Sequence, residues 1–344
     1  MTLVSTTVVG SYPQPDWLVD KSLLMHRAPP RVRARQIWRV PEPYLEQAQD
    51  DATILAIRDM ERAGIDVITD GEVRRESYSN HFATALDGLD LDNPAKKIGR
   101  SGLENDVPRV VGPIRRRDPV GYRDAQFAKA NSKNPLRFTV PGPFTMAQQL
   151  QDEYYNDEDA LIQDLAIAVN GEIRDLASAG IDVVQIDEPY LQADPDRARR
   201  FGIRSLDRAI QGVEIPTAIH LCFGYSYIHP KERPEKYSFL AELADSSVDQ
   251  ISIEAAQPSL DLGVLKELSN KTIILGVISL ADKEAEPARL VADRIHDALR
   301  YISAPRLIVA PDCGMKFIPR DVAFDKLKAL VAGAAIVSQE ISGG

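Results

Sequence analysis

Two cysteines occur in the 344 residues, and each closes or directly follows an apolar run of β-strand character. Cys222 closes Pro216-Thr217-Ala218-Ile219-His220-Leu221-Cys222, with His220 two residues earlier, and Cys313 follows Leu307-Ile308-Val309-Ala310-Pro311-Asp312. Residues two apart in a strand point to one face, so His220 and Cys222 aim at a common point. A further short run, Gln250-Ile251-Ser252-Ile253, ends in Glu254. Two thiolates, an imidazole and a carboxylate form a four-coordinate zinc (Zn2+) shell with a ligand charge of about −3. Taken singly, each residue has a plainer reading: a buried cysteine is usually a small apolar residue, and a strand-end glutamate often faces solvent. Their joint placement at strand ends is what points to a metal. Thiolate ligands leave zinc a weak Lewis acid, which suits holding a substrate thiolate better than acidifying water. The chemistry expected is thiol activation.

Such convergence needs a scaffold that gathers strand ends from distant parts of the chain. Eight short runs rich in β-branched residues supply one: Thr6 to Ser11, Asp66 to Asp70, Leu136 to Val140, Asp182 to Ile186, Thr217 to Cys222, Gln250 to Glu254, Thr272 to Ile278 and Leu307 to Ala310. Helical patterns separate them, among them Asp51 to Ala63, Asp159 to Ala179 and Ala288 to Ile302. Two segments repeat one scheme, Ala63-Gly64-Ile65-Asp66 running to Glu72 and Ala179-Gly180-Ile181-Asp182 running to Glu188, with a weaker echo from Val248 to Glu254. Each repeat reads as a helix end with Gly at the stop, a strand, then carboxylates at the strand's C-terminal end. Eight strands alternating with helices predict an α/β chain forming a single (β/α)8 TIM barrel, with chemistry at the C-terminal strand ends. Residues 1–344 are expected to be one zinc-binding catalytic domain with an excursion after the second strand at about 84–133, including a hairpin around Val110 and Val111. A doubly wound open sheet or two α/β domains are the alternatives. No G-x-G-x-x-G follows the first strand, which weakens a dinucleotide-binding version of the open sheet.

The formal net charge is −10, from 41 basic and 51 acidic residues, which argues against nucleic-acid and anionic-membrane surfaces. The cluster Arg115-Arg116-Arg117 reads as a solvated turn, with an anion-binding loop as the lesser option. No apolar run is long enough for a membrane helix, the N-terminal residues lack a signal-peptide pattern, and two cysteines suit a reducing compartment. A cytoplasmic protein is expected.

Several motifs together resemble the cobalamin-independent methionine synthase family, specifically its C-terminal catalytic barrel. They are Val9-Gly10-Ser11-Tyr12-Pro13, Asp70-Gly71-Glu72, Ile186-Asp187-Glu188-Pro189, His220-Leu221-Cys222, Ile253-Glu254 and Pro311-Asp312-Cys313-Gly314. The resemblance spans nearly the whole chain and implies the same zinc ligands: His220, Cys222, Glu254 and Cys313. It further implies that Ser11 holds the carboxylate of homocysteine, while Glu72 and Asp187 grip its ammonium group and serve the catalysis. The plainer reading of Glu72 and Asp187 is structural pairing with Arg74, Arg75 or another cation.

The implied activity is methylation of homocysteine to methionine, with a small-molecule thiol and a methyl donor as partners. Three features depart from the long family members: the N-terminal barrel is absent, no Trp lies in Pro141 to Met146, and no His lies in Gly276 to Asp282. A corrinoid donor needs no folate-protonating histidine, so a methyl-corrinoid or corrinoid protein is expected slightly ahead of methyl-folate. Tyr78, His81, Phe144, Tyr154 and Tyr155 are weak candidates for lining the donor pocket. The alternatives are alkylation of another thiol such as coenzyme M, a zinc thiol-binding barrel without turnover, and a metal-free barrel of the uroporphyrinogen-decarboxylase type.

Overall fold

Seven of the eight expected strands pair in one parallel sheet, seen in a computed structural model that describes residues 3–26, 29–100, 102–224, 236–258 and 260–343. In chain order the strands are β1 (Ser5–Thr6), the antiparallel pair β2 (Asp87–Ile98) and β3 (Glu104–Arg115), β4 (Arg137–Pro141), β5 (Gln151–Asp152), β6 (Val183–Asp187), β7 (Thr217–Leu221), β8 (Gln250–Ile253), β9 (Thr272–Ile278) and β10 (Leu307–Pro311). The large sheet runs β1-β10-β9-β8-β7-β6-β4, and β2-β3-β5 form a second, small sheet. Both faces of the large sheet are covered, so its strands read as continuous apolar runs, with Ile219, Ile251, Ile273 and Val309 fully buried.

The expected strand at Asp66–Asp70 is the exception. It meets the first strand by one bridge, Thr7 to Val67, and the residue before β4 by another, Ile68 to Leu136. Val67 N donates to Thr6 O at 3.1 Å and Arg137 N donates to Ile68 O at 2.8 Å. The segment lies between the sheet's two edge strands without a ladder of its own, so the expected eight-strand ladder is seven strands and one bridged segment. Local chemistry explains this. The Thr69 hydroxyl donates to Gly10 O at 2.6 Å and accepts from Gly71 N at 3.1 Å, replacing ladder bonds with side-chain ones. Gly71 and Glu72 then turn left-handed, with φ of 69° and 51°, which ends any extended run.

Helices Leu45–Ala63, Glu158–Ser178, Pro195–Ile210, Ala288–Leu299 and Arg320–Gly343 run between and beside the strands. Glu158–Ser178 shows why these segments are helical. Leu161, Leu165, Val169, Ile173 and Leu176 recur on one buried face, and the Asp157 carboxylate caps the N–H groups of Asp159 and Ala160. Both expected stop glycines adopt the left-handed conformation, Gly64 at φ +89° and Gly180 at φ +93°.

The three repeats share a tie at the foot of the sheet. Asp66 accepts from Thr6 N (2.8 Å), Asp182 from Leu136 N (2.7 Å) and Asp249 from Thr217 N (2.8 Å). In each case an aspartate opening one strand binds the amide at the start of the strand before it.

The excursion after the second strand contains the β2–β3 hairpin and a helix, Tyr122–Asn131. Val110 and Val111 lie within β3 rather than at the turn. The turn comes earlier, where Gly99 N donates to Leu103 O at 2.9 Å. Of the arginine cluster, Arg116 pairs with Glu172 (2.7 Å) and Asp175, and Arg117 pairs with Asp87.

Candidate metal and thiol site

β7 delivers His220 and, one residue past its end, Cys222; Cys313 follows β10 after Asp312. All three are buried, and their ligand atoms lie within 4.8 Å of one another. Ser252 Oγ, on the residue registered opposite His220 across β7 and β8, sits 2.9 Å from His220 Nδ1. That bond fixes the ring and leaves Nε2 buried with no protein partner. An orphaned imidazole nitrogen facing two thiols matches the donor set of zinc, and a hydrogen bond to the other ring nitrogen is the usual companion of a metal-binding histidine. The residues fit the metal.

Glu254, one residue past β8, stands beside this trio rather than within it. Its Oε1 accepts from Phe223 N at 2.9 Å, the amide next to Cys222. Its own amide donates to Tyr237 Oη at 2.8 Å. Asp312 fixes the chain that follows, accepting from the amides of Ala255 (3.0 Å), Ala256 (2.9 Å) and Gln257 (2.7 Å). The two thiols face each other within the trio. Cys313 as donor pulls the Cys222 thiol well below the ordinary thiol range, with Arg100 and His220 assisting against burial, and the same contact pushes Cys313 upward.

The acidic half faces the same cavity, which Ser11, Glu72, Tyr78, Arg100, Asp187, His220, Cys222 and Cys313 help to line. Glu72 Oε1 accepts from Thr139 Oγ1 at 3.1 Å, while Oε2 has no hydrogen-bond partner. Ser11 Oγ is likewise buried and unsatisfied. Asp187 Oδ1 accepts from Gln185 Nε2 at 2.9 Å. Burial pushes Glu72 upward, with Asp70 adding to the shift, and carries Asp187 to about 7, with Glu72 adding there. Arg75 and Lys316 act on Glu72 against burial, but neither makes an ion pair with it: Arg75 pairs with Asp70 at 3.1 Å, and the neighbouring Arg74 with Asp50 and with Asp124 at 3.3 Å. Small residues make the approach possible, since a Cβ at Gly10 would sit 2.3 Å from Glu72 Oε1 and one at Gly314 2.3 Å from Ser11 Oγ.

Every expected site residue except Glu254 therefore lines one cavity. Sequence reasoning missed Ser252, Tyr237, Asp312 and Arg100. The first had a signal, because strand register sets Ser252 against His220. Of the aromatic residues considered for a donor pocket, only Tyr78 reaches this cavity. His81 lines a separate cleft with Arg33, Trp38 and Arg123. Phe144 is fully buried, Tyr155 bonds Asp164 at 2.5 Å, and Tyr154 packs on Tyr155 with ring centroids 5.1 Å apart.

Known proteins resemble this chain along nearly its whole length. The family model described as "Cobalamin-independent synthase, Catalytic domain" matches residues 4–336. Methionine synthase of Sulfolobus acidocaldarius is 33% identical over 343 residues, covering 99% of this chain and 94% of that protein. Methionine synthase of Saccharolobus solfataricus is 32% identical over 345 residues, covering 99% and 97%. A solved structure of a B12-independent methionine synthase from a Shewanella species, in complex with selenomethionine, superposes with a TM-score of 0.90 at 31% identity, covering 98% of this chain and 99% of that one. A putative vitamin-B12 independent methionine synthase from Listeria monocytogenes shares the fold, with a TM-score of 0.74 at 21% identity, covering 97% and 98%. The corrinoid donor expected from the sequence gains no support from these relatives, whose descriptions are cobalamin- or B12-independent.

Proposed function

Since the chain belongs to the family of cobalamin-independent synthase catalytic domains, we propose that it methylates homocysteine to methionine with zinc bound by His220, Cys222, Cys313 and, as a displaceable fourth ligand, Glu254, and with methyl-folate as donor. One observation carries the reading. Three buried, unsatisfied polar atoms, Ser11 Oγ, Glu72 Oε2 and His220 Nε2, belong to residues lining a single cavity with two thiols. Buried polar groups seldom stay unpaired, and an amino-acid thiol with a metal would satisfy all three.

Zinc, when bound, supplies a sulfur anion at neutral pH. The protein's own groups do the rest. Glu72 and Asp187 hold the ammonium group between two carboxylates whose charge burial otherwise disfavours, so binding the cation restores their ionised form. Ser11 Oγ donates to the carboxylate. Ser252 holds the His220 ring through Nδ1, so that Nε2 would be available to the metal. Glu254, fixed beside the trio through Phe223, would serve as the fourth ligand, one that a substrate sulfur could replace. With both ends of the amino acid fixed, the sulfur is aimed at the cavity's open side for in-line attack on the donor methyl, and positioning supplies much of the rate.

Two free thiols at a catalytic centre suit a reducing compartment such as the cytoplasm. Among the described residues, no helix is long and apolar enough to cross a membrane. Calorimetric titration of the zinc-loaded protein with L-homocysteine, cysteine and coenzyme M tests the thiol half. Homocysteine binding with proton release is expected, and its absence from a zinc-replete protein would overturn the assignment. Turnover with 5-methyltetrahydrofolate is expected for the donor half; turnover with methylcobalamin alone would overturn the folate donor.

A further inference from the structure

Three thiolates would meet at this centre during turnover, from Cys222, Cys313 and the substrate, and only one of them is to be methylated. Among the described residues lining the cavity, Arg100 is the only lysine or arginine. It comes from the tip of the β2–β3 hairpin, far in sequence from the strand ends it reaches. Its Nη1 donates to Cys222 O at 2.9 Å, and its Nη2 lies 3.7 Å from Cys222 Sγ, within hydrogen-bond range for sulfur. The guanidinium also lies over the Tyr190 ring, 5.9 Å from its centroid, which holds it from the other side. Among the described residues, no lysine or arginine makes a corresponding contact with Cys313.

We propose that Arg100 is a positioning residue that hydrogen-bonds the Cys222 sulfur and so withholds it from the methyl donor, leaving the substrate sulfur as the nucleophile. The inference rests on the thiol-methylation reading above and deepens it. An N–H···S bond from a permanent cation draws electron density from the sulfur's lone pairs, and outer-shell contacts of this kind tune a metal site as its direct ligands do. In the productive step the substrate sulfur forms the S–CH3 bond while the donor leaves with the bonding pair. In the suppressed step the Cys222 sulfur would form that bond instead, leaving a thioether in place of a thiolate ligand. Through Arg100 the hairpin thus guards a protein ligand.

The test needs no natural donor and no turnover. Zinc-loaded protein is treated with methyl iodide without homocysteine, and peptide mass spectrometry follows S-methylation of Cys222 and Cys313; the sulfur attacks the methyl carbon and iodide leaves. The ratio of the two rates in one molecule is the readout. Arg100→Gln and the bulkier Arg100→Met are expected to raise the Cys222:Cys313 ratio about fivefold or more, and Arg100→Lys to restore it toward wild type. An unchanged ratio in both neutral variants overturns the proposal. So does a tenfold loss of homocysteine affinity with the ratio unmoved, which would assign Arg100 to the substrate carboxylate. Homocysteine titration of the wild type is run in parallel: if it fails while the ratio responds, the function reading falls and the role of Arg100 at Cys222 stands.

Discussion

The two ends of the same strands behave differently. At the foot, the three repeats are alike: Asp66, Asp182 and Asp249 each bind the first amide region of the preceding strand at 2.7–2.8 Å. At the mouth they diverge. Aligned on those aspartates, the first repeat carries Gly71 where the second carries Asp187 and the third Glu254. The first then uses a left-handed Glu72 for the cavity. The second spends its matching residue, Glu188, on the amides of Phe144 (3.0 Å) and Thr145 (2.8 Å), a purely local fastening. A repeated sequence therefore marks what holds the sheet, and departure from the repeat marks where chemistry was placed. This is the division between stability and activity expected across the two faces of a barrel-like α/β sheet.

That division can be broken or sharpened by substitution. The largest effect is expected at the mouth: Cys222→Ser or Cys313→Ser should cut zinc affinity and activity by about 100-fold or more while leaving the thermal midpoint of the apo protein nearly unchanged. Metal analysis and thermal scans of the same samples check it, and a large loss of apo stability would break the comparison. Asp187→Asn is expected to raise the homocysteine Kd about 10- to 100-fold, since a charge-assisted bond is worth about 1.5–3 kcal/mol, with zinc content intact. At the foot the outcome should invert. Asp66→Ala or Asp182→Ala is expected to lower unfolding stability by about 1–2 kcal/mol in urea titration, with homocysteine affinity within twofold of wild type. A specific loss of affinity there would show that the foot is coupled to the mouth.

The smallest expected effect lies away from both ends. Burial and the surrounding cations Arg75, Arg33, Arg74 and Lys316 hold His81 down at about 3 from its ordinary 6.5. The unfolded chain takes up a proton at this residue as pH falls below 6.5, while the folded chain does not until about 3, so stability is lost across that window. His81→Gln should flatten this acid limb of the unfolding midpoint without altering the plateau above pH 7.

The pattern explains what the sequence made legible. Strand-end residues were readable because a regular sheet converts period and position into a point in space, which is how His220, Cys222 and Cys313 were placed together. The Gly64 and Gly180 stops were readable because a left-handed helix end favours glycine so strongly. The bridged segment at Asp66–Asp70 was not readable, because its ladder is displaced by a hydroxyl of Thr69 whose direction depends on Gly10 across the sheet. Glu254 was expected as the fourth ligand, and its placement beside the trio was not readable, because its bond to Phe223 N arises from the loop after β7, which no strand rule describes. Arg100 left no signal: a hairpin's fold-back over a distant cavity depends on tertiary packing, and a polar turn reads the same wherever it lands.

Glu72 carries a consequence for anyone who would engineer this protein. A non-glycine residue at φ 51° costs on the order of 1–2 kcal/mol, and burying its carboxyl beside Asp187 adds to that burden. The same position supplies an oxygen with no other task than meeting a substrate. Selection for heat resistance alone would drift toward glycine here, gaining a hardier fold and discarding the grip on the amino acid. Any thermostability library built on this chain should hold residue 72 fixed.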